Sequence, residues 1–153
     1  FSPVPLKICK VAGAGVTVGT PFTFTVVADT AGGLMAPFSS TVTVQAGPAA
    51  TTPLGQNGFC NFVSGPFTTP NINGLTSFNF NSNVSIQETG FGSTVIPTGG
   101  ITSPTSDVIA NTTTRTATIT NMINGVNEIQ FVNTAGTAPI ILPKSRKRVR
   151  FIQ

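Results

Sequence analysis

LKICKVAGAGVTVGTPFTFTVVA, residues 6–28, places two short alternating runs on either side of a glycine-rich link. Leu6–Val11 and Pro21–Ala28 carry Val, Ile, Thr and Phe at the two-residue period of a strand, and Gly13–Gly19 reads as the turn between them. The same signature recurs at Ser40–Ala46, Asn83–Glu88, Ser93–Ile96, Arg115–Thr120 and Val126–Asn133, with shorter runs at Phe59–Val63 and Ser77–Phe80. Gly47–Gly58, Ser64–Gly74 and Pro97–Pro104 read as loops. No window sustains the three- and four-residue apolar spacing of a helix. About seven to nine short strands in one domain-sized chain predict an all-β fold, a single antiparallel β-sandwich. It should span residues 1–133, with a C-terminal extension at 134–153.

Composition narrows the function. The 153 residues contain eight Lys and Arg, four Asp and Glu, and no His, Tyr or Trp. Charged residues make up 8% where about 25% is usual. Without His there is no His-based triad, general base or imidazole metal ligand. Two cysteines alone make no zinc site. The four carboxylates are scattered, and AGAGVTVG at 12–19 lacks the strand-to-helix setting of a phosphate loop. The expectation is no enzyme, no cofactor and no metal. No apolar run of membrane-spanning length occurs either.

Five of the eight basic residues lie in the last ten, KSRKRVRFIQ at 144–153, so the formal net charge of +4 becomes −1 for the rest of the chain. The body therefore offers no basic face, and nucleic acid is not the expected partner. So few charges suit a surface packed against copies of itself, although a low-charge extracellular protein would look the same.

Several segments together resemble the prealbumin-like, collagen-binding-protein B-type (CnaB-like) modules of bacterial surface proteins. They are LKICKVAGAGVTVGTPFTFTV at 6–26, the Cys of GFC at 58–60, NVSIQETG at 83–90 and NEIQFVNTA at 127–135. The resemblance implies a secreted β-sandwich serving as stalk, adhesin part or pilus subunit. It ends after Asn133, where Leu142-Pro143 occurs without an LPxTG-type sorting pattern.

Members of that family often join a first-strand Lys to a last-strand Asn with the help of an acidic residue. The matching residues here are Lys10, Asn133 and Glu88. Alternation supports the match: Leu6, Ile8 and Lys10 share one face, as do Val84, Ile86 and Glu88, and Ile129, Phe131 and Asn133. Burial would favour a neutral, nucleophilic Lys10 amine and leave Glu88 a proton to share with the Asn133 carbonyl. The competing reading puts Lys10 and Asn133 at strand ends where the stripe meets solvent.

Cys9 then faces away from this core, and its expected partner is Cys60, on a loop or edge strand lying over the sheet. Closing that loop would stabilise by about 4 kcal/mol. The other reading is two separate thiols. With the composition, a disulfide favours an extracellular, cell-surface setting. Asn83-Val84-Ser85 and Asn111-Thr112-Thr113 match the glycan-acceptor sequon, and the Thr clusters are candidate O-glycan carriers.

For the tail, a solvated basic segment competes with a nucleic-acid arm and an exchanged strand. Arg148, Arg150 and Ile152 share one face and Val149 and Phe151 the other, while Ile140, Ile141 and Leu142 lie between Pro139 and Pro143. Such a peptide suits addition to a neighbour's sheet edge, a head-to-tail contact that propagates as a helical homopolymer. The sequence thus predicts a subunit of an extracellular filament or pilus-like fibre. A monomeric adhesin or stalk module is the alternative, and a coat protein with a basic arm ranks third.

Overall fold

The computed structural model describes residues 3–30, 34–52, 57–68, 76–79, 81–90, 101–102, 107–123 and 125–135. The expected run at Ser93–Ile96 and the assembly residues Ile140, Ile141, Leu142, Arg148, Val149, Arg150, Phe151 and Ile152 lie outside them. The chain is all-β. Its strands are β1 (Pro3–Val4), β2 (Leu6–Ala12), β3 (Pro21–Ala28), β4 (Phe38–Gln45), β5 (Phe59–Phe62) and β6 (Phe67–Thr68), then β7 (Thr76–Asn79), β8 (Val84–Gly90), β9 (Ile101–Thr102), β10 (Asp107–Asn111), β11 (Thr116–Asn121) and β12 (Asn127–Asn133).

A five-stranded sheet, β10-β11-β8-β3-β4, faces a four-stranded sheet, β5-β2-β12-β9, and β1-β7-β6 forms a third, small sheet. Alternation decides what lies between the layers. In β3, Phe22, Phe24, Val26 and Ala28 are buried and the residues between them are mostly not. Val84 and Ile86 of β8, and Ile129 and Phe131 of β12, point into the same core. The Phe24 and Phe131 rings meet across the two sheets with centroids 4.9 Å apart. Proline opens β3, the one strand position where its missing N–H costs least.

All named strand pairs but one are antiparallel. The exception is β2 with β12, which run parallel and side by side from Leu6↔Asn127 to Asn133↔Ala12. The pairing continues past the strands: Gly13 N–H donates to Asn133 O and Ala135 N–H to Ala14 O, both bonds of normal length. The domain body therefore reaches two residues beyond Asn133, where the sequence reading ended it.

The third sheet and β10 depart from the sequence reading. Strand β10 was not expected, because Val108 is half-buried and Ile109 exposed, so no apolar period marks it. On the opposite edge, Asn61 Nδ2 of β5 donates to Thr43 O of β4 at 2.7 Å and ties the two main sheets. Gly58 admits β5 to its place beside β2: its φ is +80°, and a Cβ there would strike the Lys10 carbonyl.

Candidate isopeptide site

Lys10 ends the inward stripe of β2 begun by Leu6 and Ile8, and it has no exposed surface. Its ammonium lies 4.1 Å from the centre of the Phe22 ring and 5.9 Å from that of Phe24, so aromatic faces of the opposite sheet form its floor. Its one charged hydrogen-bond acceptor comes from that same sheet: Nζ donates to Glu88 Oε2 at 2.5 Å. Glu88 ends the inward stripe of β8. A bulge follows it, with Phe24 paired to Glu88 but Thr23 paired to Gly90. The irregularity comes after the carboxylate, so the face count from Val84 holds.

Asn133 ends the inward stripe of β12 and is fully buried. In the parallel register Lys10 sits opposite Phe131, two residues before Asn133, and the long lysine chain reaches forward along the pair. Asn133 Nδ2 donates to Glu88 Oε2 at 3.1 Å, so the lysine and asparagine nitrogens share one carboxylate oxygen. The structure brings Lys10, Glu88 and Asn133 together inside the sandwich. None of them reaches solvent at a strand end.

A fourth residue completes the cluster. Arg115 is 4% exposed, and its Nε donates to Glu88 Oε1 at 2.9 Å. Its Nη2 donates to Asn133 Oδ1 and, at 3.2 Å, to Val132 O. A guanidinium has only donors, so it fixes the asparagine amide with oxygen toward Arg115 and nitrogen toward the carboxylate. Here the structure differs from the sequence expectation. Glu88 receives N–H groups from Lys10, Arg115 and Asn133, and the Asn133 carbonyl oxygen belongs to Arg115 rather than to a Glu88 proton. The sequence reading took Arg115 as a strand start, yet the same parity rule reaches it: Arg115, Ala117 and Ile119 alternate with threonines, and all three are buried.

Among the described residues, two cations and one carboxylate meet in this buried cluster and leave an excess positive charge. Burial pushes the Lys10 amine down from 10.5 to about 8, and the neighbouring Arg115 charge acts in the same direction against the pull of Glu88. The arrangement therefore holds a readily neutralised amine, a proton acceptor touching both nitrogens and an amide carbonyl on a cation. Those are the parts that an acyl transfer between Lys10 and Asn133 would need.

Cys9 and Cys60 form a disulfide. They are direct register partners in β2 and β5, so the bridge runs between neighbouring strands of one sheet and not from a segment lying over it. Its separation of 51 residues is worth about 4 kcal/mol by chain entropy. Of the two sequon asparagines, Asn83 donates to Asp29 at 3.1 Å, and Asn111 Oδ1 accepts from the amides of Thr113 and Thr114. Among the described residues no group of three or more His, Cys, Asp or Glu could hold a metal, and no helix is long and apolar enough to cross a membrane. The chain matches no family model, no curated protein and no solved structure.

Proposed function

We propose that the chain is a structural module of an extracellular fibre or stalk, a β-sandwich whose first and last long strands become joined by a Lys10–Asn133 amide. The observation that carries this reading is the burial of Lys10, Glu88 and Asn133 in contact where β2 meets β12. Tension entering before β2 and leaving after β12 would shear that parallel pair. An amide between the two side chains passes the load from strand to strand and shields everything between. Such a tie serves a load-bearing part and has no evident use in turnover of an external substrate. The disulfide on the outer side of β2 supports the same setting.

Single-molecule pulling from both ends tests it. The wild-type chain should reach high force without releasing the residues between Lys10 and Asn133. The Glu88→Ala chain should release the residues between Cys60 and Asn133, and with the Cys9–Cys60 disulfide reduced the whole length from Lys10 to Asn133. Either release from wild type under the matching condition would refute the load-bearing reading.

Head-to-tail assembly through residues 134–153 belongs to the same proposal. After Asn133 the sequence runs on through residues 134–153, where Val149 and Phe151 alternate with Arg148, Arg150 and Ile152, a pattern suited to adding to a neighbour's sheet edge. Deleting 144–153 should leave a folded monomer, and Phe151→Asp should block assembly because apolar burial is worth roughly 1.5–3 kcal/mol per side chain. Normal fibres from the deleted chain would exclude the tail as linker.

A further inference from the structure

Outside the Lys10–Glu88–Asn133 set, Arg115 touches an atom of that set whose chemistry is defined, the Asn133 carbonyl oxygen.

We propose that Arg115 is a catalytic residue of the amide-forming reaction, the cation that polarises the Asn133 carbonyl and holds the oxyanion formed when Lys10 attacks. The inference rests on the amide reading above and assigns a role that reading leaves vacant. Asn133 Oδ1 is where negative charge develops, and Arg115 Nη2 donates to it. The guanidinium is fixed from two further sides, by Glu88 Oε1 at 2.9 Å and the Val132 carbonyl at 3.2 Å, so it needs no reorganisation as charge appears.

The backbone gives an independent indication. Arg115 closes the turn between β10 and β11 at φ +56°, the only non-glycine residue with positive φ among those described. Glycine takes that conformation at no steric cost, whereas a side-chained residue pays for it in strain. Asn111 Oδ1 holds the turn by accepting from Thr113 and Thr114, and Glu88 N–H donates to the Arg115 carbonyl at 3.0 Å. The turn is thus built to present an arginine from a position that suits glycine, and strain retained in this way marks a working residue.

Glu88 takes one proton from the Lys10 ammonium, and the free amine attacks Asn133 Cγ. The C–N bond forms and the carbonyl electron pair moves onto Oδ1, against Arg115. Glu88 returns its proton to Nδ2, then takes a second from the former lysine nitrogen and passes it to the leaving group. The Cγ–Nδ2 bond breaks, the carbonyl re-forms, and nitrogen departs as ammonium. The departing charge is the one the site held in excess, and Arg115 with Glu88 remains as a matched pair. Without Arg115 the same step would leave Glu88 unpaired in the core.

The test follows ammonia loss by intact mass as full-length chain, recovered unfolded from inclusion bodies, is refolded by dilution. Circular dichroism and the Cys9–Cys60 disulfide report folding. Arg115→Gln should slow amide formation by about 100-fold or more, the loss seen when one oxyanion donor is removed. Arg115→Lys should recover part of the rate. Arg115→Gly relieves the backbone strain and keeps the fold testable if the glutamine chain does not refold; it should be slowed as much. Ammonia loss from a folded Gln or Gly chain within a few-fold of the wild-type rate would overturn the role of Arg115 and leave the amide intact. A folded wild-type chain that never loses ammonia would overturn the amide itself, and this role with it.

Discussion

Strand β2 carries two Lys–Glu pairs, three residues apart and on opposite faces. Lys7 meets Glu128 of β12 at 3.0 Å on the outside, with both side chains partly in water. Lys10 meets Glu88 of β8 at 2.5 Å inside, with neither side chain exposed. The residue types match, and parity alone sends one pair to solvent and the other to the core. Outside, water screens the charges and the pair contributes about 0–1 kcal/mol. Inside, desolvation works against both ions, so the pair is a liability unless its environment is complete or its charge is removed. The proposed amide formation would do the latter, and on that proposal the buried pair is a reactant rather than a stabilising contact.

The largest expected effect comes from breaking the inner pair at its carboxylate. Glu88→Gln leaves Lys10 and Arg115 facing each other with no counter-charge. It should abolish amide formation and cost about 3–5 kcal/mol in urea unfolding against an Asn133→Ala chain, which keeps the carboxylate but cannot cross-link.

A pH series sharpens the comparison next. Lys10 faces Glu88 from β8, Arg115 from the turn before β11, and the Phe22 and Phe24 rings from β3. With its amine lowered to about 8, the unfolded chain binds the extra proton between about 8 and 10.5. Stability of the Asn133→Ala chain should therefore rise with pH across that window, by about 3 kcal/mol in all, and be flat with respect to this group below it. In the wild-type chain the rate of ammonia loss should stay level below about 8, because Glu88 takes the Lys10 proton within the site, and should fall above it as the proton that leaves with the ammonia is lost. The smallest effect belongs to the outer pair: Lys7→Gln should shift stability by no more than about 1 kcal/mol, with the amide forming normally.

Alternation made much of this legible from sequence. It placed Lys10, Glu88 and Asn133 on inward stripes, and the structure keeps all three buried. Strands β2, β3, β8 and β12 fall within about two residues of where their periods put them. The parallel neighbouring of β2 and β12 was not legible, because side-chain parity says which face is buried and not which strand lies alongside. Strands β1, β6 and β9 have two residues each, too short to show a period. Arg115 escaped for a different reason. Its parity was visible, but an arginine that opens a strand after four polar residues reads as a solvated strand end until the carboxylate beneath it is known.

Intact mass of the folded, purified wild-type chain tests the central claim most directly. After allowance for the disulfide hydrogens, the mass should lie one ammonia below that of the sequence, with a cross-linked peptide joining the segments around Lys10 and Asn133. A folded chain at its full sequence mass, with Lys10 open to amine-reactive reagent after unfolding, would contradict it.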